Sequence, residues 1–228
     1  MIVGAEALLR WHRAGHDIVA PGDFIPLAEE TGLIVPIGQW VLDSACALLA
    51  RWDANRNTRF KSLAVNVSAR QFRQPDFVDQ VRAALARHAV PAELLKLELT
   101  ESAMLDNVED TQAKMEALRA LGVSFSLDDF GTGYSSLSYL KRLPFAQLKI
   151  DRSFVQDIER DTDTRAIVEA IVGMSRTLRL DMVAEGVETE AQRRFLHDFG
   201  CKTFQGYLFG RPLPQEEFEL LLAEQAAS

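Results

Sequence analysis

The chain has 228 residues, of which 47% are hydrophobic and 25% are charged, a balance typical of globular proteins with room for one large core or two smaller ones. Its formal net charge of −8 argues against general binding to a nucleic-acid polymer, because such proteins need a basic surface. If this chain handles phosphate groups, we expect it to use metal ions and a few placed cations.

The same sequence gives an expectation for compartment. No apolar run approaches the roughly 20 residues that span a bilayer, so no membrane segment is expected in this chain. Met1 is not followed by the basic and apolar regions of a signal peptide. Cys46 and Cys201 are isolated and lack metal-ligand spacing, which favours a reducing environment. We therefore expect a cytoplasmic protein.

Strand and helix patterns alternate along the chain. Apolar and β-branched runs predict strands at 4–11, 63–68, 94–99, 123–129, 147–150, 182–184 and 203–208. Helical spacing and capping residues predict helices at 24–30, 34–52, 77–88, 103–121, 135–141, 162–180, 189–199 and 215–226. In the helix at 162–180, the predicted buried stripe is Ile167, Ile171, Met174 and Leu178. Thr189 is placed to cap the next helix, with Gln192 three residues later.

This alternation indicates an α/β protein built from parallel βα units. A doubly wound sheet would usually carry a glycine-rich phosphate loop after its first strand, and the sequence has none there. A closed (β/α) barrel fits the length and the rhythm better.

Asp128 and Asp129 stand side by side at the end of a predicted buried strand. Adjacent carboxylates repel each other, and an ideal strand points them to opposite faces. A divalent cation is one physical reason for such a pair, and a solvated turn rich in Asp and Gly is the other.

Polar residues recur at the ends of the other predicted strands as well. Each alone could be a helix cap or a surface group, but a barrel would bring these strand ends to one mouth. Their recurrence therefore favours a site, and the residues are Glu6, Asn66, Glu98, Glu101, Asp128, Asp129, Lys149, Asp151, Glu185, Glu188 and Gln205.

Oxygen donors without a histidine or cysteine cluster point to Mg²⁺ or Mn²⁺. So many carboxylates suggest two ions, an arrangement known for displacement at phosphorus, with Asp128 suited to bridge them. Lys149 could hold an attacking water or offset phosphate charge, or it could form a simple ion pair with Asp151 or another neighbour.

Motifs spread across nearly the whole chain resemble one family. They are EALLRW from Glu6, NVSARQF from Asn66, ELTES from Glu98, DDFGTGYSSL from Asp128, LKIDRSFV from Leu148, AEGVET from Ala184 and QGYLFGRPLP from Gln205. In content and order they are similar to the EAL domain family of cyclic di-GMP phosphodiesterases. The resemblance implies a TIM-like barrel whose first strand runs antiparallel to the rest, and metal-dependent hydrolysis of cyclic di-GMP to linear pGpG.

The resemblance also implies a role for each matching residue. Glu6, Asn66, Glu98 and Asp128 would hold one Mg²⁺ or Mn²⁺ ion, and Asp128, Asp129, Asp151 and Glu185 would hold the second. Lys149, Glu185 and Glu6 would form the catalytic group, with Lys149 positioning the attacking water. Leu8, Arg10, Glu188 and Gln205 would bind substrate. Ca²⁺ is expected to inhibit.

Glu101 resembles the residue that anchors the loop after Asp129, and that loop with its following helix resembles the family's homodimer contact. The family has a further strand before the EAL motif, for which residues 1–3 leave no room. The sequence therefore predicts a single EAL domain over 1–228, truncated at its N-terminus and lacking that antiparallel strand. An upstream sensory or cyclase domain would be a natural partner.

Two other functions stay open. Degenerate members of the family bind cyclic di-GMP without cleaving it, although they usually lose an acid and none is lost here. A barrel with carboxylates and a lysine could also act on carbon acids, as enolase-type enzymes do, but the Asp-Asp pair and Arg10 favour phosphorus chemistry.

Overall fold

The structure is a computed structural model that describes residues 1–13, 15, 18–54, 62–104, 107–131 and 137–227. The chain divides into two compact units. The first comprises Met1–Leu99, Glu109–Ser124 and Leu213–Ser228. The second comprises Thr100–Val108 and Phe125–Pro212.

Strands and helices alternate in the described residues, as the sequence predicts. The strands are β1 (Gly4–Ala7), β2 (Ser62–Asn66), β3 (Leu95–Thr100), β4 (Ser124–Phe130), β5 (Gln147–Ile150), β6 (Asp181–Ala184) and β7 (Thr203–Phe204). The helices are α1 (Pro21–Thr31), α2 (Ile34–Ala54), α3 (Ala69–Phe72), α4 (Phe77–His88), α5 (Val108–Leu121), α6 (Leu137–Arg142), α7 (Arg152–Asp157), α8 (Thr162–Leu178), α9 (Glu190–Phe199) and α10 (Gln215–Ala227). Short 3₁₀ turns lie at Ala92–Leu94 and Glu101–Met104.

In the first unit, β1 pairs with β2 and β2 pairs with β3, both in parallel. Leu63, Val65, Leu95 and Leu97 are buried on these strands, as expected where helices cover a parallel sheet. Helix α2 packs on β2 and on α4 through a buried face that includes Leu42, Cys46 and Leu49. The parallel pairing aligns Asn66 with Glu98 at the carboxyl ends of their strands.

Helix α10 closes the first unit by returning to the start of the chain. The indole Nε1 of Trp52 donates to Glu219 Oε1 at 3.1 Å. The side-chain amide of Gln225 pairs with both polar main-chain groups of Ile2: its Oε1 accepts from the Ile2 N–H, and its Nε2 donates to the Ile2 carbonyl at 2.9 Å. The side chain of Gln225 thus links α10 to the residues just before β1.

In the second unit, β4, β5, β6 and β7 pair in that order and in parallel. The predicted stripe of α8 is wrong at Ile167, which is 44% exposed, and right at Ile171, which is buried. The buried face also includes Val168 and Val172, which the prediction left out.

Several predicted boundaries are also wrong. The strand predicted at 4–11 ends at Ala7. The helix predicted at 103–121 begins only at Val108, after the 3₁₀ turn that starts at Glu101. The strand predicted at 203–208 ends at Phe204, because Gly206 bends the chain with φ +154° against the backbone of Val187. Within the described part of the chain, we find no helix that combines the length and the apolar character needed to cross a membrane.

Candidate metal and catalytic site

The Asp128-Asp129 pair lies on a bulge in β4. The pairing register with β5 shifts between Leu127 and Phe130, and Asp129 has a left-handed φ of +53°. A bulge breaks the alternation of side chains along a strand and re-aims one of them. The repulsive pair is thus held in a backbone conformation that aspartate tolerates better than most residues.

Lys149 lies on β5 with its ammonium between two carboxylates. Its side chain is 3% exposed, and Nζ lies 2.6 Å from Glu185 Oε1 and 3.2 Å from Asp128 Oδ1. Asp128 Oδ1 also accepts the main-chain N–H of Asp129 at 3.0 Å. The partners of the lysine are therefore Asp128 and Glu185, and a buried ammonium in such a position can act on a neighbouring phosphate or water.

Negative charge concentrates around Asp129. Burial raises the pKa of Asp129, the charges of Asp128 and Asp151 raise it further, and a hydrogen bond with the Asp151 side chain adds to the effect against the opposing charge of Lys149. Two carboxyl groups in hydrogen-bond contact need a shared proton or a cation between them. This crowding is what a bound divalent ion would relieve.

Asp151 also caps α7. Burial alone would raise the pKa of Asp151, but hydrogen bonds from the hydroxyl and the N–H of Ser153, together with the N–H and the charge of Arg152, lower it. The N–H of Ser153 reaches Asp151 Oδ1 at 2.9 Å. One residue thus serves as helix cap and as a member of the carboxylate cluster.

The segment after β6 carries Glu185 and Glu188. The Glu185 N–H donates to Ile150 O at 3.1 Å, and the Val187 N–H donates to Gln205 O at 3.0 Å. The Gln205 N–H in turn donates to Ala184 O at 2.8 Å. Main-chain hydrogen bonds therefore tie the predicted residues Glu185 and Gln205 into neighbouring positions of the second unit.

Glu101 begins the 3₁₀ turn after β3 and is buried. Its Oε1 accepts the main-chain N–H of Gly131 at 3.1 Å, at the point where the loop after Asp129 begins. The sequence proposes this residue as a loop anchor, and the contact with Gly131 suits that role. The rest of that loop, residues 132–136, lies outside the described residues.

The first unit holds the other predicted ligands. Asn66 Nδ2 donates to Glu6 Oε1 at 2.6 Å, and Asn66 is the register partner of Glu98, which is buried. Leu8 is exposed just beyond β1, and the Arg10 guanidinium donates from Nη1 to Leu9 O at 2.8 Å. Glu6 and Asn66 are thus in direct contact at neighbouring strand ends.

The donors suit a hard divalent cation. They are carboxylate and amide oxygens, which Mg²⁺ and Mn²⁺ prefer, and the acids around Asp129 crowd one another. Among the described residues, no three acidic, histidine or cysteine side chains already stand as a preformed metal-binding group. One oxygen of Asp128 and one oxygen of Glu185 contact Lys149.

The sequence did not indicate that Gln192 contacts the candidate site. It placed Gln192 only as a capping partner of Thr189, and the structure has that capping box. Gln192 Oε1 also accepts the N–H of Glu188 at 2.8 Å. The spacing of three residues between Thr189 and Gln192 predicts a capping box, but it does not predict the hydrogen bond from the Glu188 N–H to Gln192.

The family model for the EAL domain matches residues 1–212. The chain belongs to the EAL domain family.

Relatives named for cyclic di-GMP chemistry resemble this chain closely. It is 52% identical over 216 residues to the bifunctional diguanylate cyclase/cyclic di-GMP phosphodiesterase MucR of Pseudomonas aeruginosa, covering 95% of this chain and 31% of the relative. It is 45% identical over 217 residues to the cyclic di-GMP phosphodiesterase NbdA of the same organism, covering 95% of this chain and 28% of the relative. The chain thus spans about a third of the length of these relatives.

A solved structure described as the PaMucR phosphodiesterase in complex with c-di-GMP superposes with a TM-score of 0.90. The match covers 93% of this chain and 86% of that chain at 52% identity. The prediction of a TIM-like α/β fold of EAL type is thereby confirmed.

Proposed function

We propose that this chain is a metal-dependent phosphodiesterase that hydrolyses cyclic di-GMP to linear pGpG. The observation that carries the proposal is the buried ammonium of Lys149 between the carboxylates of Asp128 and Glu185. The names of the MucR and NbdA relatives supply the substrate class.

In this proposal, Glu6, Asn66, Glu98 and Asp128 would hold one Mg²⁺ or Mn²⁺ ion, and Asp128, Asp129, Asp151 and Glu185 would hold the other. When bound, the two ions would lower the pKa of a water molecule and offset charge on the phosphate. The crowded acids around Asp129 supply the driving force for cation binding, because they repel one another without it.

The protein side chains orient the reactants. Lys149 holds the attacking water or a phosphate oxygen through its ammonium, and Glu185 and Asp128 keep that ammonium in place. As the water oxygen bonds to phosphorus, the bond from phosphorus to one ribose oxygen breaks, and that oxygen takes up a proton. The ring of cyclic di-GMP opens at one phosphodiester and leaves pGpG.

Substrate contacts are proposed for residues around this machinery. Arg10 would meet a phosphate, and Leu8, Glu188 and Gln205 would contact the rest of the dinucleotide. Arg10 now donates to a main-chain carbonyl, so its guanidinium would exchange that partner for a phosphate, a stronger charge-assisted one.

The direct test is to incubate the protein with cyclic di-GMP and Mg²⁺ or Mn²⁺ and to separate the products by chromatography. We expect pGpG, none in EDTA, and none with Ca²⁺, whose longer and looser coordination misplaces the water. Tight binding of cyclic di-GMP without product would instead support a receptor that binds the dinucleotide and does not cleave it.

A homodimer through the loop and helix after Asp129 is expected from the family resemblance, and sedimentation of the protein with and without cyclic di-GMP tests it. A sensory or cyclase domain joined to this one would fit relatives of which this chain covers about a third.

A further inference from the structure

Gln192 holds the backbone of Glu188 from within the protein. The side chain of Gln192 lies on α9, and the residue is 6% exposed. Its Oε1 accepts two main-chain N–H groups, from Glu188 at 2.8 Å and from Thr189 at 3.0 Å. Glu188 itself is exposed at the surface. A buried amide thus fixes the backbone from which an exposed carboxylate extends.

The rest of the segment is held differently. Main-chain carbonyls accept the N–H groups of Glu185 and Val187. Glu188 and Thr189 come last in the segment, and a side chain accepts theirs. A substitution at Gln192 can therefore release the end of the segment while the hydrogen bonds of Glu185 and Val187 stay in place.

Thr189 extends this connection to another turn of the second unit. Its hydroxyl accepts the N–H of Gln192 at 3.1 Å and donates to Glu159 Oε1 at 2.6 Å. Arg165 in turn donates to the carbonyls of Ile158 and Glu159, each at 2.6 Å. These hydrogen bonds connect the start of α9 to the turn between α7 and α8 and so hold the backbone of Gln192 in place.

We propose that Gln192 is a positioning residue that sets the direction in which Glu188 meets the substrate. This inference rests on the proposed function, because it assumes that Glu188 contacts cyclic di-GMP. The two N–H groups belong to the two peptide planes that flank the Cα of Glu188, so the two hydrogen bonds together fix the position of that Cα. Without these two hydrogen bonds, the backbone at Glu188 would have to become ordered when the substrate binds, and this cost would weaken binding.

The test compares Gln192→Met with Gln192→Glu. Methionine keeps the length of the side chain and removes the acceptor, whereas glutamate keeps an acceptor oxygen and is itself common at this position of a capping box. For Gln192→Met we expect KM for cyclic di-GMP to rise about tenfold with kcat changed much less, the pattern of a lost binding interaction. Gln192→Glu should restore a KM near that of the wild type.

Hydrogen exchange supplies a readout that does not depend on catalysis. The amides of Glu188 and Thr189 should exchange faster in Gln192→Met than in the wild type, and Gln192→Glu should keep their protection. The amides of Glu185 and Val187 should change little, since main-chain carbonyls hold them.

Asp161→Ala is the matched control for loss of a helix cap. Asp161 caps α8 by accepting the N–H groups of Asp163 at 3.0 Å and Thr164 at 3.2 Å. Its loss should lower the melting temperature by an amount similar to Gln192→Met and leave KM unchanged.

An unchanged KM in Gln192→Met, with faster exchange at Glu188, would overturn the positioning role and leave the proposed function intact. An equal rise in KM in Asp161→Ala would overturn it too, because the effect would then be general destabilisation. Wild-type protein that neither binds nor cleaves cyclic di-GMP would remove the proposed function and this inference together.

Discussion

At the scale of single residues, Asp129 explains how two neighbouring acids can serve one cluster. The sequence predicts that both matter but also places their side chains on opposite faces of a regular strand. The bulge and the left-handed φ of Asp129 remove that conflict. Because a register shift depends on how β4 pairs with β5, and not on the local sequence, the sequence could not predict it.

Lys149 carries the sharpest prediction at this scale. Lys149→Ala removes the ammonium between Asp128 and Glu185, and we expect kcat to fall at least ~10²-fold, because a preorganised charge at the reacting centre is lost. Metal affinity should remain or increase, since the carboxylates keep their charge. Steady-state rates of pGpG formation and calorimetric titration with Mn²⁺ measure the two quantities.

Lys202→Ala is the control for this variant, because Lys202 is exposed and has no proposed role. It should keep the wild-type rate. A rate for Lys149→Ala within a few-fold of the wild type would refute the role of Lys149, provided that circular dichroism shows both variants folded.

The two thiols give a prediction about reactivity. Burial raises the pKa of Cys46 to about 11, with Asp43 nearby adding to the effect, and burial raises the pKa of Cys201 to about 11. The thiolate is the reactive form, so both residues should be inert at neutral pH in the folded protein. Titration with a disulfide reagent should find no rapid reaction in buffer and two thiols in denaturant. A fast reaction of one thiol in buffer would contradict the burial of that residue.

At the scale of elements, the sequence predicted the features that depend only on residues close to one another along the chain. The capping box at the start of α9 was visible as Thr189 and Gln192 in the sequence, and it forms in the structure. The end of β7 was not predictable, because Gly206 turns where Val187 of another segment approaches it. The buried face of α8 also depended on its neighbours: the sequence predicted the burial of Ile171 but included the exposed Ile167 and missed Val168.

Gly206 should therefore resist substitution. Its φ of +154° favours glycine, and an added Cβ would lie 2.3 Å from both the main-chain N and O of Val187. We expect Gly206→Ala to lower the free energy of unfolding by about 3 kcal/mol or more, from strain and overlap combined. Chemical denaturation measures the change.

Gly173→Ala is the matched control. Gly173 lies inside α8, and an added Cβ would meet nothing within 4 Å. This variant should raise the free energy of unfolding by about 0.5–1 kcal/mol, because alanine loses less backbone entropy in a helix. Equal changes in the free energy of unfolding for the two variants would show that the close approach of Val187 to Gly206 does not affect stability.

At the scale of the whole molecule, the sequence predicted the fold class and the family, since the βα rhythm and the motifs run along nearly the entire chain. It also named the acids and the lysine of the candidate site. It could not supply the partners of those side chains: Lys149 pairs with Asp128 and Glu185, whereas Asp151 caps α7. Partner choice depends on distances across strands, which spacing along the chain does not encode.

Ligand binding should stabilise the whole protein. At about 100 times its Kd, a ligand adds about 2.7 kcal/mol to the free energy of unfolding, which is about 5–10 °C in melting temperature for a chain of this size. We expect such a shift with cyclic di-GMP and Ca²⁺, which should bind without turnover. Thermal unfolding followed by fluorescence measures it.

Thermal unfolding in EDTA, and of Asp128→Asn in Ca²⁺, should show a much smaller shift in melting temperature. EDTA removes the metal, and the substitution removes a carboxylate that would bind it. A full shift in EDTA would mean that the dinucleotide binds without metal.

The pairing of Gln225 with Ile2 has a consequence for how the chain can be reconnected. Because the Gln225 side chain on α10 holds both polar main-chain groups of Ile2, the end of α10 and the residues before β1 lie side by side. A short flexible linker from the end of α10 to Ile2 could therefore join these two segments without strain. The first unit thus offers a joining point for a circular permutant, and a reporter fused after α10 would lie beside Ile2.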